Sequence, residues 1–165
     1  MTISSVSPQP LLLLLLLLAG LLTSCSSTPK TLAPTDPSGV GWKVRQGQAI
    51  WRPARGQPEL AGELVIGSRG DEDRLVEFIK TPFPLVVAKS AFAGWELKFG
   101  ADGPRFSGRG AAPDRWIWFH LRDCLEARRS PPPGWTLTAQ PQGRWRFENR
   151  SSGESLEGYL KTSTE

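Results

Sequence analysis

The chain has 165 residues and a formal charge of +4, from 20 Lys and Arg against 16 Asp and Glu. Removing a 24-residue leader would leave 141, which suits one small domain rather than two. The basic excess lies between Arg105 and Arg150, where nine Arg face Asp114, Asp123, Glu126 and Glu148; scattered single arginines read as a solvated face, with steering toward anionic lipid or an acidic partner as a second use.

The first informative stretch is the apolar run Leu11–Leu22, followed by Thr23-Ser24-Cys25. Twelve residues fall short of the roughly 20 a membrane-spanning helix needs and fit the core of a secretory signal peptide. Residues 1–10 hold no Lys or Arg, so the α-amino group alone supplies the positive end. Leu22-Thr-Ser-Cys25 resembles the bacterial lipobox, whose cysteine is acylated on sulfur and becomes the new N-terminus. The resemblance implies a signal peptide over 1–24 and a lipid-anchored Cys25. It also implies an exported protein, which argues against nucleic acid as a partner. Ser26 after the cysteine resembles sorting to the outer membrane. Cys124 is then left without an intrachain partner and reads as a small buried hydrophobe.

Residues 25–40 read as lipidated cysteine plus tether, because Ser and Thr alternate there with Pro29, Pro34 and Pro37 and few apolar side chains offset ordering. From Gly41 the pattern turns to short strands. Trp42–Arg52 is apolar with a parity slip that suggests a bulge near Gly47. Glu59–Ser68 alternates. Arg74–Lys80 and Leu85–Ser90 follow, joined by Thr81-Pro82-Phe83-Pro84. Trp95, Leu97 and Phe99 alternate with Glu96 and Lys98, a half-buried strand. Asp102-Gly103-Pro104 turns the chain into a weak strand over Arg105–Gly108.

One helix is expected next, capped by Asp114, with Ile117, Leu121, Cys124 and Leu125 on one stripe and Arg128 and Arg129 at its negative end. Trp116, Trp118 and Phe119 widen the apolar surface, which suits a helix plugging a concave sheet. Pro131–Pro133 ends it. Three more strands follow, through Trp135–Ala139, Arg144–Glu148 and Leu156–Leu160. The fold class is therefore mainly β with one helix: a curled antiparallel sheet, an open half-barrel, covered by the helix.

This order of elements, with the lipobox and tether, resembles the LolA/LolB superfamily of lipoprotein carriers and receptors, and most closely the lipid-anchored LolB type. The likeness covers 41–162 and is best locally over Arg74–Ala88 and from Gly94-Trp95 onward. It implies an outer-membrane, periplasm-facing lipoprotein that accepts acyl chains or lipoprotein cargo, receives them from a periplasmic carrier protein and inserts them into the membrane. It also implies a membrane-contacting loop carried here by Phe83 and Leu85.

An acyl-chain cavity would lie between sheet and helix, lined by Trp95, Leu97, Trp116, Trp118, Leu121, Trp135 and Trp145. The alternative is a small structural or adaptor lipoprotein with a filled barrel that binds another envelope protein. No catalytic set is legible. His120 is the lone histidine, without metal-spaced partners, and no Gly-x-Ser-x-Gly elbow or phosphate loop occurs. Asp71-Glu72-Asp73 lacks calcium-loop spacing and reads as a hairpin turn. Neither a cofactor nor a metal is expected.

Overall fold

The computed structural model describes Leu32 and residues 35–161. The expected signal peptide, Cys25 and most of the expected tether lie outside the described residues. The chain enters the domain through a turn at Asp36, whose Oδ1 accepts bonds from the Ser38 N–H and Oγ.

Nine strands follow: β1 (Lys43–Arg52), β2 (Leu60–Arg69), β3 (Asp73–Lys80), β4 (Phe83–Ala91), β5 (Gly94–Phe99), β6 (Arg105–Gly108), β7 (Trp135–Ala139), β8 (Arg144–Asn149) and β9 (Ser155–Leu160). They form one antiparallel sheet in the order β6-β5-β4-β3-β2-β1-β9-β8-β7. Short β6 and β7 are its two edges, so the sheet is open. All neighbours except β1 and β9 are consecutive in sequence, as a meander without helical crossovers requires.

Period-two alternation assigns each side chain to a face. Trp51, Leu64, Ile66, Val76, Phe78, Val86, Leu97, Phe147 and Leu156 share the face that holds the core. Small residues let the strands approach and bend there. Ala49 pairs with Gly62 on one side and Gly158 on the other. A Cβ at residue 62 would lie 2.5 Å from the Ile79 carbonyl oxygen, and one at 158 would lie 2.3 Å from that of Gln48. Both contacts are far inside van der Waals distance, so only glycine fits these crossings.

Two local expectations are corrected. The bulge expected near Gly47 is absent, since β1 pairs with β2 without a break from Lys43 to Trp51. The parity slip arises because both faces are partly covered: Trp42 packs over Gly67 on the outer face, while Trp51 enters the core. The irregularity lies instead in the β3–β4 pair, where Phe78 faces Val86 and Ile79 faces Pro84, leaving Leu85 as the extra residue. The second correction concerns the β3–β4 loop. Its turn is only Thr81-Pro82, with a cis peptide between them, and Phe83 already pairs with Lys80.

The helix is also shorter than its pattern. Trp116 is extended, Ile117–Phe119 is a 3-10 turn, and the α-helix α1 covers only Leu121–Leu125. Five consecutive residues from Ile117 to Leu121 are buried. A regular helix buries a stripe and exposes its other side, so a segment buried all round gives up regular geometry. Asp114 does not cap it but pairs with Arg129 at 3.1 Å. Arg128 and Arg129 follow a left-handed Ala127 and lie beyond the helix end.

Candidate functional site

The segment 116–125 is a plug in the concave face of the sheet. Trp118 is 1% exposed, and its ring meets Trp51 edge-on at 5.3 Å and Phe78 at 5.9 Å. Ile117 and Leu121 are fully buried. Trp95 of β5 packs against Trp116 at 5.3 Å and Phe119 at 5.7 Å, and Trp116 reaches Phe106 on edge strand β6 at 5.1 Å. Leu97 is buried beneath them, while Trp135 and Trp145 close the β7–β8 end.

The seven residues expected to line a cavity thus come together in one core cluster, five buried outright and Trp95 and Trp116 partly. They pack against one another and against the plug, so among the described residues side chains fill this face. The reason is stoichiometric: the strands supply glycine and alanine in the middle of the concave face, and the plug supplies the bulk. A sizeable open groove, ≈490 Å³, lies on the other face. Its walls include Gln48, Ile50, Glu63, Ile79 and Tyr159, which alternate with core positions along their strands.

The plug is held by side chains. Among the described residues, its backbone hydrogen bonds run within the segment, to Pro113, or just past its end, and none reaches a strand. The polar tie to the sheet is the ion pair of Arg74 on β3 with Asp123 on α1, both largely buried. The indole N–H groups of Trp118, Trp135 and Trp145 are buried without a hydrogen-bond acceptor. Burying such a donor unpaired costs about 1–3 kcal/mol each, so the core is tight in shape but incompletely satisfied.

His120 sits where the plug leaves its 3-10 turn and is 4% exposed. Arg129 can only donate, so its Nη1 at 3.3 Å makes His120 Nδ1 the acceptor and leaves the proton on Nε2, 3.5 Å from the Pro113 carbonyl. Burial, reinforced by Arg129, holds the imidazole pKa below its ordinary value despite the Pro113 bond and the Asp114 and Asp123 charges, so it is neutral at pH 7. Burial, and then the Asp123 charge, pushes the Cys124 thiol up, which makes it a poor nucleophile. Among the described residues no three His, Cys, Asp or Glu side chains converge as metal ligands.

Of the two loop residues, Phe83 projects from the start of β4 and is 63% exposed. Leu85 does not share that position. As the extra residue of the bulge it is partly buried and packs against the core cluster.

A carboxyl not singled out in the sequence lies at the same end of the sheet as Phe83. Glu154 Oε1 accepts a 3.0 Å bond from Trp51 Nε1, and burial pushes its pKa up to about 7 against the lowering effect of that bond. Trp51 in turn touches Trp118. Nothing local marks Glu154, because its burial depends on β1 lying beside β9. Compared with known proteins, the chain matches no family model and no curated protein.

Proposed function

We propose that this domain is a lipid-anchored envelope lipoprotein of LolB-like type that takes acyl chains between its curled sheet and the 116–125 plug. One observation carries the reading: a hollow concave face is filled by a segment that makes no backbone hydrogen bond to the sheet. Lifting that segment would expose a continuous apolar surface without breaking any strand pairing. An acyl chain replacing the plug recovers about 0.8 kcal/mol per buried CH₂, so cargo and plug compete for the same burial. The lipid on Cys25 and the exposed Phe83 ring would keep the exchange at the membrane surface, with release set by a downhill affinity step.

A second reading, the filled-barrel adaptor, is favoured by the complete burial of Ile117, Trp118 and Leu121. One experiment separates the two. The full chain is extracted gently, analysed by native mass spectrometry for bound lipid, and titrated with a fluorescent acyl probe before and after Trp118→Ala. Stoichiometric, displaceable binding that changes with Trp118→Ala supports the acyl-binding reading. No bound lipid and no saturable probe binding would overturn it in favour of the adaptor. Loss of palmitate labelling in Cys25→Ser tests the anchor.

A further inference from the structure

We propose that the β1–β2 loop and the β8–β9 turn build a phosphate-binding pocket around Arg55 and Arg150. The two segments are far apart in sequence, yet three features bring them together. The Arg55 N–H donates to the Ser152 carbonyl at 3.0 Å. Asn149 Oδ1 accepts from the Ser151 N–H, Ser151 Oγ and Ser152 N–H, which shapes the turn before it. Gly153, at φ +72°, lies so close to Arg55 that a Cβ there would be 2.7 Å from the Arg55 Cβ. Any side chain at 153 would be strained twice, by its φ and by Arg55.

The result is an open pocket of ≈370 Å³ walled by Arg52, Arg55, Arg150 and Glu148. Arg52 is occupied by Glu59, and Glu148 is drawn toward Arg146 at 3.7 Å. Among the described residues Arg55 and Arg150 form no ion pair, whereas the arginines around the plug, Arg74, Arg122, Arg128 and Arg129, are all paired. Two arginines without an ion pair in the wall of one pocket favour a compact oxyanion with several acceptor oxygens, and phosphate matches the forked donors of a guanidinium group. The phosphate could be free or belong to a phospholipid headgroup, since this end of the sheet also carries Phe83. The pocket is independent of acyl binding and stands whether or not the plug moves.

Side-chain Nε–Hε signals of the ¹⁵N-labelled full chain in nonionic detergent micelles test this, with Arg55 and Arg150 assigned through R55K and R150K. One arm adds inorganic phosphate; another replaces it with dioleoylphosphatidylglycerol in the micelle, with dioleoylglycerol as the phosphate-free blank. Saturable shifts of Arg55 and Arg150 in the first arm identify free phosphate as a ligand. Saturation in the phosphatidylglycerol arm alone identifies a headgroup. In either case R55Q combined with R150Q should weaken binding about tenfold or more, the loss of charge-assisted bonds, while the Arg128 signal stays still. Shifts that fail to saturate in both arms, or that move Arg128 equally, overturn the proposal. The wild-type signals decide this even if the double variant does not fold.

Discussion

Replacing Trp118 separates the two things its indole does in the core. Truncating a buried Trp to Ala costs about 3–5 kcal/mol through lost transfer energy and the cavity left behind. Part of that is returned, because the Trp118 N–H is buried without an acceptor and removing it relieves about 1–3 kcal/mol. Trp118→Ala should therefore lose about 2 kcal/mol net, and at most about 4. Trp118→Phe keeps a ring against Trp51 and Phe78 while discarding the unpaired donor, so it should lie within about 1 kcal/mol of the parent. For a domain of this size, about 3 kcal/mol corresponds to a Tm fall of roughly 10 °C. Urea unfolding followed by circular dichroism, with a common slope across the three proteins, gives both differences. If Trp118→Phe falls as far as Trp118→Ala, the unpaired-donor reasoning is wrong. If Trp118→Ala costs under about 1 kcal/mol, the plug is not part of the core.

Four further outcomes rest on the same structure. Glu154 titrates near 7 when folded and near its ordinary 4.5 when unfolded, so the folded state holds the extra proton between those values; stability should drop by up to about 3 kcal/mol as pH rises across that window and level off above it, a slope that Glu154→Gln removes. His120 acts with the opposite sign: its lowered folded pKa means stability is lost as pH falls through the unfolded value of 6.5, and pH-dependent unfolding of His120→Gln should show that acid limb flattened. Gly62→Ala must displace the Ile79 carbonyl or the Phe78 ring and should cost about 1–3 kcal/mol, whereas equal stability in calorimetry would mean the β2–β3 crossing is looser than described. Phe83→Asp should leave Tm unchanged, because the ring is exposed, yet lower the rate at which bound acyl probe passes to vesicles; an unchanged rate would remove Phe83 from the membrane contact.

How much of this was legible in the residues varies by element. Strands such as β7 and β8 were readable because one face is core and the other is mostly solvent, so alternation in Trp145–Phe147 reports burial directly. β1 misled, since apolar groups on both faces imitate a bulge. The Phe78/Ile79 irregularity was invisible because Leu85 looks like any strand residue. The plug was recognisable as buried from Trp116–Phe119, but its short helix was not, since burial on every side overrides helical spacing. The apolarity of the seven residues expected to line a cavity places them in one core cluster, while open versus filled depends on how the plug's volume meets Gly62, Ala49 and Gly158 across the sheet.

The residues by themselves determined the nine-strand meander, its open antiparallel character and the place of the segment that covers it, because those depend on local alternation, turns and prolines. Tertiary structure alone decided that the interior is occupied, that Glu154 is buried against Trp51, and that Arg55 and Arg150 share a pocket. The last two rest on β9 pairing with β1 across about a hundred residues of sequence, and no local pattern encodes which distant side chains such a pairing brings into contact.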